Sequence, residues 1–279
     1  MDIRPSPIAG TWYPSQSKTL AQLVDQHLAV AAAEGSAPPG RPRAVLAPHA
    51  GLRYSGPVAG YSFNCLRGLN PKIVAVIGPM HHLHTAPLLT SGHEAYETPL
   101  GPVKVDREAL DHVHHSLKDT LGYGLTRVRE DPEHSVEIEL PFLQRIFGDF
   151  LLLPIMIVNQ HLNVAEALGK ALAEALRERD CVLVASSDLS HFYPQDVAQT
   201  LDGEVLRRLE RFDPEGVVSA QDEGVGYACG RGAIAAVLWA ARALGASRVN
   251  ILRYATSGDV SADYTSVVGY AAAAVSEAA

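Results

Sequence analysis

The chain has 279 residues, of which 47% are apolar and 19% charged, with a formal net charge of −8 at pH 7. That length is enough to bury a substantial core, and one large α/β domain is the preferred reading over two small ones. The acidic balance, without a basic stripe, excludes a nonspecific nucleic-acid binder, and no apolar run approaches the roughly 20 residues of a membrane span.

In chain order, residues 1–16 carry Pro5, Pro7, Gly10 and Pro14 around Trp12 and Tyr13. So broken a stretch predicts an extended arm lying across the surface near a cleft, with its two aromatic rings in need of a pocket. Leu20, Leu23, Val24 and Leu28 predict an amphipathic helix over 18–33, followed by a Gly/Pro-rich link over 35–42. A short strand, Ala44 to Ala47, ends at Pro48-His49-Ala50-Gly51, and a helix follows toward Cys65 and Gly68. Ile73 to Ile77 is an unbroken apolar run, suited to a strand buried on both faces of a parallel sheet, and Gly78-Pro79 turns the chain out of it ahead of His81, His82 and His84.

Pro87 to Thr90 predicts a further strand, and 106–117 a helix whose His112, His114 and His115 are surface residues. Asp131-Pro132-Glu133 predicts a helix start capped by Asp131, running to Phe147 with a kink at Pro141 and with His134 and Glu137 on one face. Phe150 to Val158 is a strand in which Pro154 implies a bend or an edge position. Val164, Leu168, Leu172 and Leu176 mark a covering helix. Cys181 to Ala185 is again a buried strand, followed by Ser186-Ser187-Asp188-Leu189-Ser190-His191. Helices are predicted over 195–212, from Asp213-Pro214-Glu215, and through Ile234 to Leu244, and strands over 249–256 and 264–270 precede an Ala-rich tail over 271–279. Alternating strands and helices predict a mostly parallel central sheet flanked by helices.

Three strands thus end in loops carrying His49, His81, and Asp188 with His191. In a parallel sheet, these loops converge at the carboxyl edge, where α/β folds bind ligands. Cys229, flanked by glycines and followed by a helix, is a candidate to join them, with a thiol lowered by the helix N-terminus. Cys65 and Cys181 lie within apolar segments and read as inert; with no CxxC pair, the three cysteines fit free thiols in a reducing compartment. No secretion signal opens the chain, so the cytoplasm is the expected location.

Ala9-Gly10-Thr11-Trp12-Tyr13-Pro14, Ala47-Pro48-His49-Ala50-Gly51, Gly78-Pro79 before His81-His82, Glu133-His134-Ser135-Val136-Glu137, Ser186-Ser187-Asp188 with His191, and Cys229-Gly230 together resemble the Memo family. Its bacterial and archaeal members are also called AmmeMemoRadiSam system protein B. The resemblance spans nearly the whole chain. It implies a fold similar to the catalytic subunit of class III extradiol dioxygenases, with His49, His81 and Cys229 as metal ligands. It further implies that Asp188 and His191 line the site as catalytic residues, His191 at the position of the acid/base, with Trp12 and Tyr54 beside the cleft as substrate or peptide contacts; His134, from its helix position, is a further candidate to face that cleft. The family name implies a functional association with a radical SAM protein and an AMMECR-type protein.

Cys229 stands where the dioxygenases have a carboxylate. A thiolate is softer, which favours copper, zinc or a differently poised iron. The leading expectation is therefore a cytosolic iron or copper protein doing oxygen-linked redox chemistry on a small molecule, with His191 as acid/base oriented by Asp188. The alternatives are a zinc-dependent hydrolase, in which His191 or Glu137 moves the proton, and a non-catalytic protein binding a peptide or a metal in the same cleft.

Overall fold

The computed structural model describes residues 1–35, 38–129 and 131–278; residues 36 and 37 of the Gly/Pro-rich link and residue 279 of the Ala-rich tail lie outside them. The elements in order are β1 (Ile3–Arg4), α1 (Ser17–Ala33), β2 (Pro42–Ala47), α2 (Leu52–Asn64), β3 (Ile73–Pro79), β4 (Leu88–Ser91), β5 (Ala95–Tyr96), β6 (Val103–Lys104), α3 (Arg107–Leu121) and β7 (Thr126–Val128). Then follow α4 (Leu140–Phe147), β8 (Leu151–Ile157), α5 (Leu162–Leu176), β9 (Cys181–Ser186), β10 (His191–Tyr193), α6 (Gln195–Glu210), α7 (Pro214–Asp222), α8 (Arg231–Ala243), β11 (Arg248–Thr256), α9 (Gly258–Ser261) and β12 (Val267–Ser276).

The apolar runs behave as their composition requires: every residue of β3 and β9 is buried. They sit in a nine-stranded sheet whose central strands run β2-β9-β3-β8, all mutually parallel. Antiparallel pairings flank this centre, with β12 beside β2 and β4 beside β8, so the sheet is mixed. Pro154 lies inside the sheet, opposite Val76, and not at an edge as its sequence implied. Beyond it β4 pairs only with Met156 and Ile157, and the Pro154 carbonyl takes the Thr90 hydroxyl at 2.7 Å, so the missing N–H leaves no ladder bond broken. The Ala-rich tail is likewise no tail through Ser276. Ala271 to Ala274 are fully buried in β12, between β2 and β11, where small side chains let α2 pack close to the sheet.

Helices α1, α2 and α4 form one covering layer, and in the other α5 packs between α3 and α8. The α5–α8 contact depends on Gly169. A Cβ there would lie 2.6 Å from Trp239 Cβ and 2.7 Å from the Ala236 carbonyl oxygen. Overpacking of that kind costs about 1–3 kcal/mol, and alanine's better helix propensity returns about 1. Gly169→Ala is therefore expected to lower stability by up to about 2 kcal/mol in urea unfolding at constant m-value; a stabilised variant would contradict this packing.

Two expectations are corrected, for the N-terminal arm and for the segment at Asp131. The arm does run over the surface to the cleft, where Thr11 and Trp12 line it, but it is also built into the fold: β1 adds to a small sheet with β5 and β6, and Arg4 is only 1% exposed. Its guanidinium reaches Asp131 at 2.7 and 3.0 Å, Glu137 at 2.5 Å, and the Glu133 carbonyl at 2.6 Å. That commitment also explains why no helix starts at Asp131. Its carboxylate takes the arginine instead of capping, a single 3-10 turn covers Glu137–Glu139, and α4 begins at Leu140 with Pro141 in its first turn, where proline is tolerated and causes no kink. Glu137 and His134 accordingly do not share a helix face.

Candidate metal centre

The register of the parallel strands sets the centre. Ala47 lies opposite Ser186, and Ile77 opposite Ala185, so β2, β9 and β3 end side by side. His49, Asp188 and His81 each lie two residues beyond the end of their strand. Cys229 comes from the turn before α8 and is pinned in place: its N–H donates to the Asp188 carbonyl, and its sulfur accepts from the Asp188 N–H, both at 3.2 Å. Gln160, just past the fourth parallel strand, holds the Cys229 carbonyl at 2.7 Å and the Gly232 N–H at 2.9 Å.

One ligand atom from each of His49, His81 and Cys229 lies within 4.8 Å of the others. His49 Nε2 and Cys229 Sγ are 3.2 Å apart. With metal–nitrogen and metal–sulfur distances of about 2.0–2.3 Å, two ligands of one ion stand about 3.1–3.6 Å apart, so the spacing suits a shared ion. The two imidazole rings are edge to face, with centroids 5.1 Å apart. Burial pushes His49 well below the ordinary imidazole pKa, which leaves it neutral and able to ligate. Cys229 goes the other way: burial and the Asp188 carboxylate push its thiol up, outweighing the expected effect of the helix N-terminus. A cation beside the sulfur would offset that penalty, as metals do for coordinating thiols.

Each histidine has an outer partner. His81 Nδ1 lies 2.9 Å from Glu133 Oε1, and its backbone N–H donates to Oε2 at 2.5 Å. Burial opposes charge on Glu133, yet these bonds hold it well below the usual carboxylate range. His49 Nδ1 lies 2.9 Å from Ser186 Oγ, which is also 2.7 Å from Glu139 Oε1. Metal-bound histidines characteristically have partners of both kinds, which turn the second ring nitrogen away and leave the first free. His81, Glu133 and His134 also cluster within 4.8 Å, but Glu133 is occupied in orienting His81, so this group supports the first site.

Over His49 and His81 opens a cleft of about 580 Å³ that Trp12, Tyr54, His82, His134, His191 and Val268 also line. His134 stacks on His81 at 4.5 Å and lies tilted against Trp12 at 4.0 Å, and burial lowers its pKa to about 4. Tyr54 is partly exposed at the rim. His191 Nδ1–H donates to the Leu189 carbonyl at 2.8 Å, so its Nε2 is the acceptor, and burial lowers its pKa. Asp188 does not orient His191. Its carboxylate accepts the His49 N–H at 2.8 Å and the Ala50 N–H, fixing the loop after β2; burial raises its pKa to about 7. Glu137, considered as a proton carrier, is fully buried under Arg4, Ser6 and Tyr13 and does not reach the cleft.

Arg4, Glu133, Ser186, Glu139 and Gln160 were not singled out as site residues from sequence. Glu133 and Ser186 carried a signal, each as a member of a motif-bearing segment; the others are identified by contacts across more than 40 residues of chain.

Residues 4–274 match the family model described as Memo-like protein. The chain is 35% identical over 277 residues to a MEMO1 family protein of Methanopyrus kandleri, covering 95% of this chain and 96% of that one. It is 37% identical over 285 residues to a MEMO1 family protein of Ignicoccus hospitalis, covering 98% of each. An uncharacterised protein from Escherichia coli K12 has the same fold, with a TM-score of 0.57 at 16% identity, over 84% of this chain and 99% of that one. On the near-complete family match and these full-length relatives, the chain belongs to the Memo family.

Proposed function

We propose that this protein is a metal-dependent oxidoreductase that holds iron or copper between His49, His81 and Cys229 and acts with oxygen on a small organic molecule in the cleft. The observation that carries this reading is the 3.2 Å approach of His49 Nε2 to Cys229 Sγ beneath a cleft of about 580 Å³ that His191 also lines. Two imidazoles and a thiolate suit iron, copper or zinc, whereas calcium and magnesium take oxygen ligands. The metal supplies the one-electron chemistry; the chain supplies the rest. Trp12, Tyr54 and His134 offer flat or aromatic walls for an organic ring. Asp188 fixes the His49 loop, and Glu133 fixes His81. His191, neutral and with Nε2 as its acceptor, is placed to take a proton from a substrate hydroxyl and return it.

The test is elemental analysis with electron paramagnetic resonance on protein purified without oxygen. Stoichiometric iron or copper is expected, with a spectrum that changes when oxygen is admitted. Stoichiometric zinc and no paramagnetic signal would replace this reading with a hydrolytic one.

A further inference from the structure

Ser186 Oγ is buried and has three polar neighbours: the Ser135 carbonyl oxygen at 2.6 Å, Glu139 Oε1 at 2.7 Å, and His49 Nδ1 at 2.9 Å. A hydroxyl has one proton to give and two lone pairs to receive. The Ser135 carbonyl can only accept, so the Ser186 proton goes there. The other two contacts then each need a hydrogen from the far side. His49 supplies one from Nδ1, and Glu139 can supply one only as a carboxylic acid. An ionised Glu139 would instead leave two oxygens 2.7 Å apart in a buried site with no hydrogen between them, a contact that costs free energy.

The surroundings agree. Glu139 is 1% exposed, and burial pushes its pKa well above the usual range in spite of the opposing Ser186 contact; the charged group acting on it is another carboxylate, Asp188, which pushes it further. Glu133, the outer partner of the other histidine, differs in geometry: it touches His81 directly, at the backbone N–H and at Nδ1, with no hydroxyl between.

We propose that Glu139 is a positioning residue of the centre: a neutral carboxylic acid that donates to Ser186 and thereby fixes His49 as the tautomer with Nδ1 protonated and Nε2 free to ligate. This rests on reading His49 as a ligand. It gives the two histidines unlike outer partners, the Glu133 carboxyl group directly behind His81 and a hydroxyl–acid pair behind His49.

Two spectra test this on the wild-type protein. Infrared difference spectra with carboxyl-labelled glutamate are expected to contain the carbonyl stretch of a protonated acid at pH 7, removed by Glu139→Gln. Nitrogen-15 NMR of labelled histidine is expected to show His49 protonated on Nδ1, in the wild type and in Glu139→Gln, whose amide can still donate. Glu139→Leu and Ser186→Ala should mix the tautomers and weaken zinc binding by about 10–100-fold, the range for lost outer partners. No protonated-acid band, a band that survives in Glu139→Gln, His49 protonated on Nε2, or equal zinc affinity in Glu139→Gln and Glu139→Leu would each overturn the assignment. A wild type that takes up no zinc would refute the ligand reading, while the two spectra would still decide the role of Glu139.

Discussion

His49→Ala is expected to leave the folded protein without its metal, because it removes the donor closest to the sulfur, at 3.2 Å. Loss of an outer partner weakens a centre by about 10–100-fold, so loss of a ligand should exceed about 100-fold and be read as absence of metal after purification. His191→Ala is the matched control. It lines the same cleft and is bonded to Leu189, so it should keep the metal in full. Cys229→Asp separates identity from occupancy: a carboxylate is harder than a thiolate, and two imidazoles with one carboxylate is the iron(II) triad, so the variant should shift in preference from copper toward iron. Metal retained at wild-type level in both His49→Ala and Cys229→Asp, with no shift in identity, would show that the ion lies elsewhere.

The second large effect is expected far from the cleft mouth. Arg4 is 1% exposed and neutralises Asp131 and Glu137, both fully inside. Removing one partner of a buried charged set leaves the other uncompensated, and Arg4→Ala should therefore cost about 3–5 kcal/mol in urea unfolding. The pH dependence identifies the cause. Burial already raises the pKa of Glu137 even though Arg4 opposes it, and without Arg4 it rises further. A folded-state pKa above the unfolded value means stability that is present at low pH and lost as pH rises through the folded value. The deficit of Arg4→Ala should thus be larger at pH 8 than at pH 5. A deficit independent of pH would point to lost packing over the Tyr96 ring, 4.7 Å from the guanidinium. Because Arg4 also grips the Glu133 carbonyl, the same variant should weaken the metal centre through His81.

Much of this was legible in the chain. The strands β3 and β9 declare themselves because a sheet buried on both faces needs continuous apolar side chains, but Gly78 and Pro79 do not turn the chain out of the sheet as expected: β3 runs on through both, paired with Met156 and Ile157, before His81. Covering helices followed from four-residue apolar spacing, as at Val164, Leu168, Leu172 and Leu176. The errors arose where a residue has two local uses. Asp131 before Pro132 is a good helix start in isolation, but Arg4 competes for the carboxylate and wins, since a buried guanidinium needs counter-charge and takes both Asp131 and Glu137. An alanine run is compatible with helix, tail or strand, and at 271–274 the neighbours β2 and β11 decided for strand.

By itself, then, the sequence determined the buried apolar strands β2, β3 and β9 and, to within two residues, where they stop, because an apolar run and its end are local properties. It also determined that His49, His81 and Asp188 follow closely on those strands. Strand order, and with it the meeting of His49, His81 and Cys229, belongs to the tertiary structure, since it depends on which parallel strands lie side by side. So do the charge states behind the ligands. Whether Glu133 is ionised and Glu139 protonated depends on who shares their desolvated space, and carboxylates of the same chemical kind take opposite states when one is given hydrogens by His81 and the other faces a hydroxyl that has none to spare.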